Sequence, residues 1–195
     1  VGGADHATMH LLYARFWTHV MADAGITPFH EPFPKLRCQG VMHARDAATG
    51  RVSRMSKSTG NVVTPNEVAD KHGVDTLRVH VLFMAPFEDD CVWDEEGISG
   101  SRRFLERAWR LARDIASRPA WEGEDADLAR LRDETIRRVE SDIERLSFNT
   151  AIARLMELLN ALTPRLRQEG PTAEIAEATR TFALLLAPFA PHIAE

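Results

Sequence analysis

Apolar residues in the second half of the chain recur every three or four positions. Phe104, Ala108, Leu111 and Ile115 form one stripe, and Leu128, Leu131, Thr135, Val139, Ile143 and Leu146 a second. Phe148, Ile152, Leu155, Leu159 and Leu162 form a third, and Ile175, Thr179, Phe182 and Leu186 a fourth. Such spacing puts each set on one side of a helix. It predicts helices over about residues 101–117, 127–146 and 148–162, and one starting near 172. Pro119, Pro164 and Pro188 are expected to stop the first, third and fourth. Single apolar faces joined by short breaks predict an antiparallel bundle.

The first half is patterned differently. Asp5 is a plausible cap for a helix reaching about Ala24, with Gly25 just past its end. Met9, Leu12, Phe16 and Val20 would be its buried face, with Tyr13 and Trp17 beside it. Pro28, Pro32 and Pro34 mark a loop. Residues 36–42 read as a strand containing Gln39-Gly40, and a glycine inside a strand permits a bulge or close approach by a ligand. A turn at 47–50 and a return strand at Val52 complete a hairpin. Thr64, Pro65 and Glu67 suit the start of a helix as cap, first position and capping-box partner, and Gly73 suits its end. Over 75–84, Leu77, Val79, Val81 and Phe83 alternate as in a strand, while Leu77, Val81 and Met84 are spaced as in a helix; periodicity leaves both open. An acidic loop around Trp93 follows. The fold class read here is α/β followed by all-α, with a boundary near residues 96–101 dividing the chain into 1–98 and 99–195.

Composition narrows the function classes. The 195 residues are 44% hydrophobic and 27% charged, ordinary for a globular protein. No apolar run approaches membrane-span length, so no membrane partner is expected. Cys38 and Cys91 are the only cysteines and lack metal-site spacing, which suggests a reducing, cytoplasmic setting without a disulfide. The net charge of −5 argues against a uniformly nucleic-acid-binding surface. Its distribution argues otherwise. Residues 102–118 carry six arginines and two acids, residues 37–57 five basic residues and one acid, and residues 88–96 six acids and no base. Arg102, Arg103, Arg107, Arg110 and Arg113 are candidates for a salt-dependent RNA contact, or equally a solvated helix face. The chain opens Val1-Gly2-Gly3 without Met and closes inside a helical pattern, which reads as a piece of a longer protein.

The candidate chemistry centres on Arg54-Met55-Ser56-Lys57-Ser58-Thr59-Gly60-Asn61, a stretch with two cations, hydroxyls, a glycine and no acid. Such a loop suits a polyphosphate. Lysine supplies a point charge, hydroxyls donate, and glycine lets backbone N–H groups turn inward. His6 and His10, four apart, would share a helix face. No third ligand lies near and no glutamate follows His6, so a solvent- or substrate-facing pair is preferred and no metal site is expected.

Arg54-Met55-Ser56-Lys57-Ser58 resembles the KMSKS loop of class I aminoacyl-tRNA synthetases. Gly3-Ala4-Asp5 with His10 resembles their GxDxxxxH motif, and Gln39-Gly40-Val41-Met42 the strand that meets adenine. His6, the run from His10 to Trp17, Gly60-Asn61-Val62-Val63, Asp75-Thr76-Leu77-Arg78, residues 148–152 and residues 186–192 look specifically like a leucyl-tRNA synthetase. The resemblance covers nearly the whole chain in one order. It implies the second half of a Rossmann catalytic domain with a stem-contact region, then an anticodon-binding-type bundle, and it makes 75–84 helical.

The resemblance also implies roles. Lys57 would stabilise the departing pyrophosphate, with Arg54, Ser56 and Ser58 in support. Gly2, Gly3, Asp5 and His10 would meet the ribose and adenylate, Gln39, Gly40, Val41 and Met42 the adenine, and His6 and His10 the leucine. Partners would be ATP with Mg²⁺ as substrate, leucine, tRNA(Leu) and the missing N-terminal catalytic half; no tightly bound cofactor is implied. Arg54 stands where the family usually has lysine, and Asp5 where leucyl enzymes usually have glutamate. Residues 43–53 form a short hairpin where many bacterial relatives insert a domain. The HIGH-like half and the editing domain are absent, so this piece is not expected to activate leucine alone. The alternatives are a non-catalytic tRNA- or protein-binding module, and a ligase for isoleucine, valine or methionine.

Overall fold

The structure, a computed structural model, describes residues 3–46, 49–57 and 60–195. A single 3₁₀ turn at Ala4–Ala7 leads into α1 (His10–Asp23). Two strands, β1 (Met42–Arg45) and β2 (Val52–Arg54), pair antiparallel with His43 opposite Arg54 and Arg45 opposite Val52. Next come α2 (Pro65–His72) and α3 (Val74–Phe83). A third strand, β3 (Cys91–Val92), runs parallel to β1 with Met42 opposite Cys91, which makes the sheet order β2–β1–β3. Four long helices follow: α4 (Ile98–Ala116), α5 (Ala126–Glu144), α6 (Phe148–Glu169) and α7 (Ala173–Leu186). A short α8 (Pro191–Ala194) is the last element, where the sequence pattern is helical.

The buried core belongs to the bundle. Leu128, Val139, Ile152, Leu155, Leu159, Leu162 and Ile175 are fully buried in one cluster, joined by Phe104, Leu111, Phe182 and Leu186. The helical stripes of the sequence are these faces. Caps match the local chemistry: Asp125 accepts from the Leu128 N–H at 2.9 Å, Thr172 from Ile175 at 3.2 Å and Thr64 from Glu67 at 3.4 Å. The segment that periodicity left undecided is a helix. Thr76, Val79 and His80 are its buried residues, at helical spacing, and Val79 joins the bundle cluster.

Pro164 does not stop α6, which continues to Glu169. An interior proline costs about 3 kcal/mol. Beyond it Leu166 is buried in the core, a side-chain burial of about 1.5–3 kcal/mol. Arg165 Nε also donates to Asp125 at 2.7 Å. Burial of Leu166 and the Arg165–Asp125 pair together offset the local penalty. The helix predicted to reach residue 146 ends at Glu144, because Leu146 adopts φ 61° and Ser147 N–H turns back to the Asp142 carbonyl at 2.7 Å.

The first half departs further from its pattern. Asp5 is not a helix cap: Gly3 occupies the cap position of the 3₁₀ turn, and the backbone bends at Met9 (φ −112°, ψ −89°) before α1 starts. His6 and His10 therefore do not share one helix. The stripe expected to be buried is exposed, with Met9 at 59%, Leu12 at 61%, Phe16 at 60% and Val20 at 40%. Leu11, Ala14, Thr18 and Met21 face inward instead. The helix carries apolar residues on both sides, so period alone could not choose between them. Residues 36–41 are not a strand either. Gly40 N–H donates to the Phe87 carbonyl at 2.9 Å and Val41 N–H to Asp90 Oδ1 at 2.7 Å, which takes both groups from any ladder.

Candidate functional site

The root of the basic loop is fixed on the sheet. Met55 N–H donates to the Met42 carbonyl at 3.1 Å, one residue past the end of β2. Asn61 then ties the two limbs together. Its Oδ1 accepts from Ser56 N–H at 2.9 Å, and its Nδ2 donates to Ser53 Oγ at 3.1 Å and the Arg54 carbonyl at 3.2 Å. Lys57 stands in the turn, exposed, with no side-chain partner among the described residues. Ser58 and Gly2 lie outside the described residues.

Separate stretches of sequence meet beside this loop. Arg54 Nη1 is 2.5 Å from Asp5 Oδ2. Gly3 lies against the next stretch: a Cβ placed on it would be 3.5 Å from the Gln39 carbonyl oxygen. Asp5, Gln39, Arg54 and Lys57 are each exposed, and Ser56 is half-buried. His6 is half-buried in the 3₁₀ turn, while His10 is exposed and stacks on Phe33 at a ring separation of 6.0 Å.

Close backbone approach at Gly40 is real, but the approaching group is the chain itself. A Cβ there would come within 1.9 Å of the Asp89 carbonyl oxygen, so only glycine fits. The acidic loop is what holds this stretch. Besides the Asp90 contact to Val41, Glu88 pairs with Arg37 at 2.7 Å, and Asp90 Oδ2 lies 3.9 Å from His43 Nε2. The Val41 and Met42 carbonyls accept from Cys91 and Met55. Much of the polar backbone at 40–42 is therefore already engaged within the chain. Gln39, Gly40 and Met42 also line a cavity of about 270 Å³ walled by Leu82, Phe87 and Phe148.

The five candidate arginines sit on α4 within an arc of about 140° at 100° per residue. Arg102 pairs with Glu106 at 2.9 Å, and Arg107 Nη2 donates to Asn160 Oδ1 at 2.8 Å. Arg103 and Arg110 contact only the Ser99 and Glu106 carbonyls through Nε, and Arg113 has no side-chain partner among the described residues. The stripe is exposed apart from the half-buried Arg107.

Sequence reasoning missed the bracing roles of Asn61 and Asp90, and the grip of Asp75 and Arg78 on residues 188–193. Asn61 had a local signal, an amide immediately after the loop glycine. The Asp75 and Arg78 contacts span more than a hundred residues and leave no local signal.

The family model for class I tRNA synthetases of the isoleucine, leucine, methionine and valine group matches residues 9–94, and that for the anticodon-binding domain of tRNA ligases matches residues 125–195. The fold is shared with Mycobacterium tuberculosis methionyl-tRNA synthetase bound by methionyl-adenylate, at a TM-score of 0.69 and 24% identity over 99% of this chain and 42% of that one. The chain belongs to the class I aminoacyl-tRNA synthetases, covering the later part of the catalytic domain and the helical bundle.

Within that class it is of the leucyl type. Leucine–tRNA ligase 1 of Rhizobium johnstonii is 44% identical, and the leucine–tRNA ligase of Geotalea daltonii 45%, each over 100% of this chain. The LeuRS of Agrobacterium radiobacter K84, in ternary complex with tRNA and LeuAMS, superposes with a TM-score of 0.83 at 37% identity, over 100% of this chain and 26% of that one. The chain spans about a quarter of the length of these curated relatives, 26% and 24% respectively. No helix among the described residues is long and apolar enough to cross a membrane.

Proposed function

We propose that these residues serve a cytoplasmic leucine–tRNA ligase, which activates leucine with MgATP and transfers it to tRNA(Leu). The Arg54–Asp5 contact carries the reading, because it sets the basic loop against the glycine–acid step. In the first reaction a leucine carboxylate oxygen attacks the α-phosphorus of ATP and pyrophosphate departs. Negative charge grows on the leaving group, and the protein's task is to place the reactants and offset that charge. Lys57 projects from a braced turn an ammonium that has no partner among the described residues, suited to the pyrophosphate, with Arg54, Ser56 and Ser58 in support. Gly3 and Asp5 face the ribose, residues 39–42 the adenine, and His6 and His10 the leucine. In the second reaction a tRNA terminal ribose hydroxyl attacks the leucyl carbonyl and releases AMP. The arginine face of α4 holds the tRNA.

Residues 1–98 act as catalytic part and 99–195 as bundle. The exposed face of α1, including Phe16 and Trp17 at 60% and 49%, seats the remainder of the catalytic domain present in the longer relatives. Without it the phosphates are gripped from one side, and the 195-residue chain does not activate leucine. The test is ATP–pyrophosphate exchange with a panel of amino acids, on this chain and on a polypeptide of the relatives' full length that carries it. Leucine-dependent exchange by the longer protein alone is expected. Exchange with a different amino acid, or with none, overturns the reading.

A further inference from the structure

We propose that Asp90 is a positioning residue for the adenine end of the ATP site. The inference rests on the ligase reading above, which sets residues 39–42 against adenine. Only part of that stretch belongs to the sheet. β1 starts at Met42, and Gln39, Gly40 and Val41 project beyond its end. Peptide groups past the end of a sheet have no ladder partner and need another. Asp90 supplies one. Its Oδ1 accepts from Val41 N–H at 2.7 Å, the short distance of a charge-assisted bond. The next residue, Cys91, donates its N–H to the Val41 carbonyl at 3.1 Å. Both backbone polar groups of Val41 are therefore taken by two consecutive residues. One position earlier, Gly40 N–H donates to the Phe87 carbonyl at 2.9 Å.

Packing alone does not fix this stretch. Gln39, Gly40 and Met42 border the cavity of about 270 Å³, which leaves room for them to shift on that side. Their place is set by directional bonds. The bonds from Phe87 and Cys91 use backbone groups, which do not depend on the side chain at those positions. The bond to Val41 N–H depends on Asp90. Its Oδ2 lies 3.9 Å from His43 Nε2, beyond hydrogen-bond reach, so Oδ1 carries the contact. Asp90 is also exposed, so removing its side chain opens no core cavity. Adenine takes no part in bond making or breaking. A displaced strand therefore weakens ground-state and transition-state binding of ATP alike, which raises KM and leaves kcat.

The measurement is leucine-dependent ATP–pyrophosphate exchange by the full-length protein and its Asp90→Ala, Asp90→Asn and Asp90→Glu variants. ATP is compared with purine riboside triphosphate, which lacks the exocyclic amino group of adenine. Asp90→Ala should raise KM for ATP about tenfold, equivalent to losing one hydrogen bond. Its kcat should stay within about twofold of wild type, at unchanged KM for leucine. Its preference for ATP over the analogue should fall, a change that a smaller folded fraction cannot produce. Asp90→Asn keeps an acceptor at the same place and should return KM and preference close to wild type. Asp90→Glu keeps the charge and moves the acceptor by a methylene. It should change both in the same direction as Asp90→Ala, and it stands in if that variant does not fold. Wild-type KM and preference in Asp90→Ala and Asp90→Glu overturn the positioning role and leave the ligase reading intact. So does a fall in kcat at unchanged preference, or an Asp90→Asn protein as impaired as Asp90→Ala. A wild-type protein with no leucine-dependent exchange overturns both.

Discussion

Arg54 Nη1 lies 2.5 Å from Asp5 Oδ2, joining two positions that the sequence resemblance marks as departures from the usual leucyl pattern. An arginine for a lysine lengthens one side, and an aspartate for a glutamate shortens the other, so the departures offset each other in one contact. Both side chains are more than half exposed, 57% and 56%, which limits the pair to about 0–1 kcal/mol of stability. Its effect should be on the geometry of the loop. In the full-length protein, Arg54→Lys and Asp5→Glu should each raise KM for ATP by roughly threefold to tenfold, the range of couplings between contacting residues. The double variant should return close to wild type. Strictly additive losses across the cycle would show that the two residues act independently.

Lys57 and Asn61 divide the loop's work between chemistry and shape. Lys57 has no side-chain partner among the described residues, so Lys57→Ala should leave the unfolding midpoint unchanged. It should slow pyrophosphate exchange by about two to three powers of ten, the cost of removing one transition-state donor. Asn61→Ala removes the acceptor of Ser56 N–H. Hydrogen exchange at that amide should quicken by at least about tenfold, reporting local opening rather than global unfolding. A protected Ser56 amide in the variant would remove Asn61 from its bracing role.

The parts legible in the sequence were those decided locally. The bundle stripes, the cap at Thr64, the helix start near 172 and the antiparallel pairing of β1 with β2 all follow from near neighbours. The position of the basic stretch was legible too, because a strand signal at Val52 and a helix start at Thr64 flank it. Three features were not. The face that α1 turns inward depends on what packs against it, and both of its sides are apolar. The continuation of α6 past Pro164 depends on Leu166 and Arg165 finding distant partners. The acidic stretch 88–96 read only as a loop around Trp93, yet Asp90 holds Val41 and the Asp89 backbone packs against Gly40. In each case contacts across many residues overrode a local preference.

His80 gives the fold a testable acid sensitivity. It is 3% exposed and meets Trp93 edge to face, with ring centroids 5.2 Å apart. Burial holds its pKa below the ordinary imidazole value, against a smaller upward pull from the Asp94 backbone. Its Nε2 has no hydrogen-bond partner among the described residues. The unfolded chain takes a proton near pH ~6.5 while the folded chain resists it. The unfolded state therefore binds more protons as pH falls: this contribution is complete above the unfolded pKa and is lost as pH drops toward the folded one. Urea midpoints should fall between about pH 7 and 5, and less so for His80→Phe, which keeps a ring against Trp93. Equal falls in the two proteins would clear His80 of the effect.

The arginines of α4 should not contribute equally to RNA binding. Arg102 is already neutralised by Glu106 at 2.9 Å, and Arg107 is held by Asn160 at 2.8 Å. Arg110 engages only a backbone carbonyl, and Arg113 engages nothing among the described residues. Each of these two can move to a phosphate without breaking an ion pair. Neutralising a phosphate releases counterions, so every such contact steepens the dependence of affinity on salt. Arg110→Ala and Arg113→Ala should each weaken tRNA binding and reduce the slope of log K against log salt by about one, whatever the tRNA sequence. Arg102→Ala should change the slope less, since its removal also frees Glu106 to repel the RNA without adding a counterion contact. Binding titrations at several salt concentrations would separate these cases. Slopes identical to wild type for Arg110→Ala and Arg113→Ala would make the stripe an ordinary solvated face.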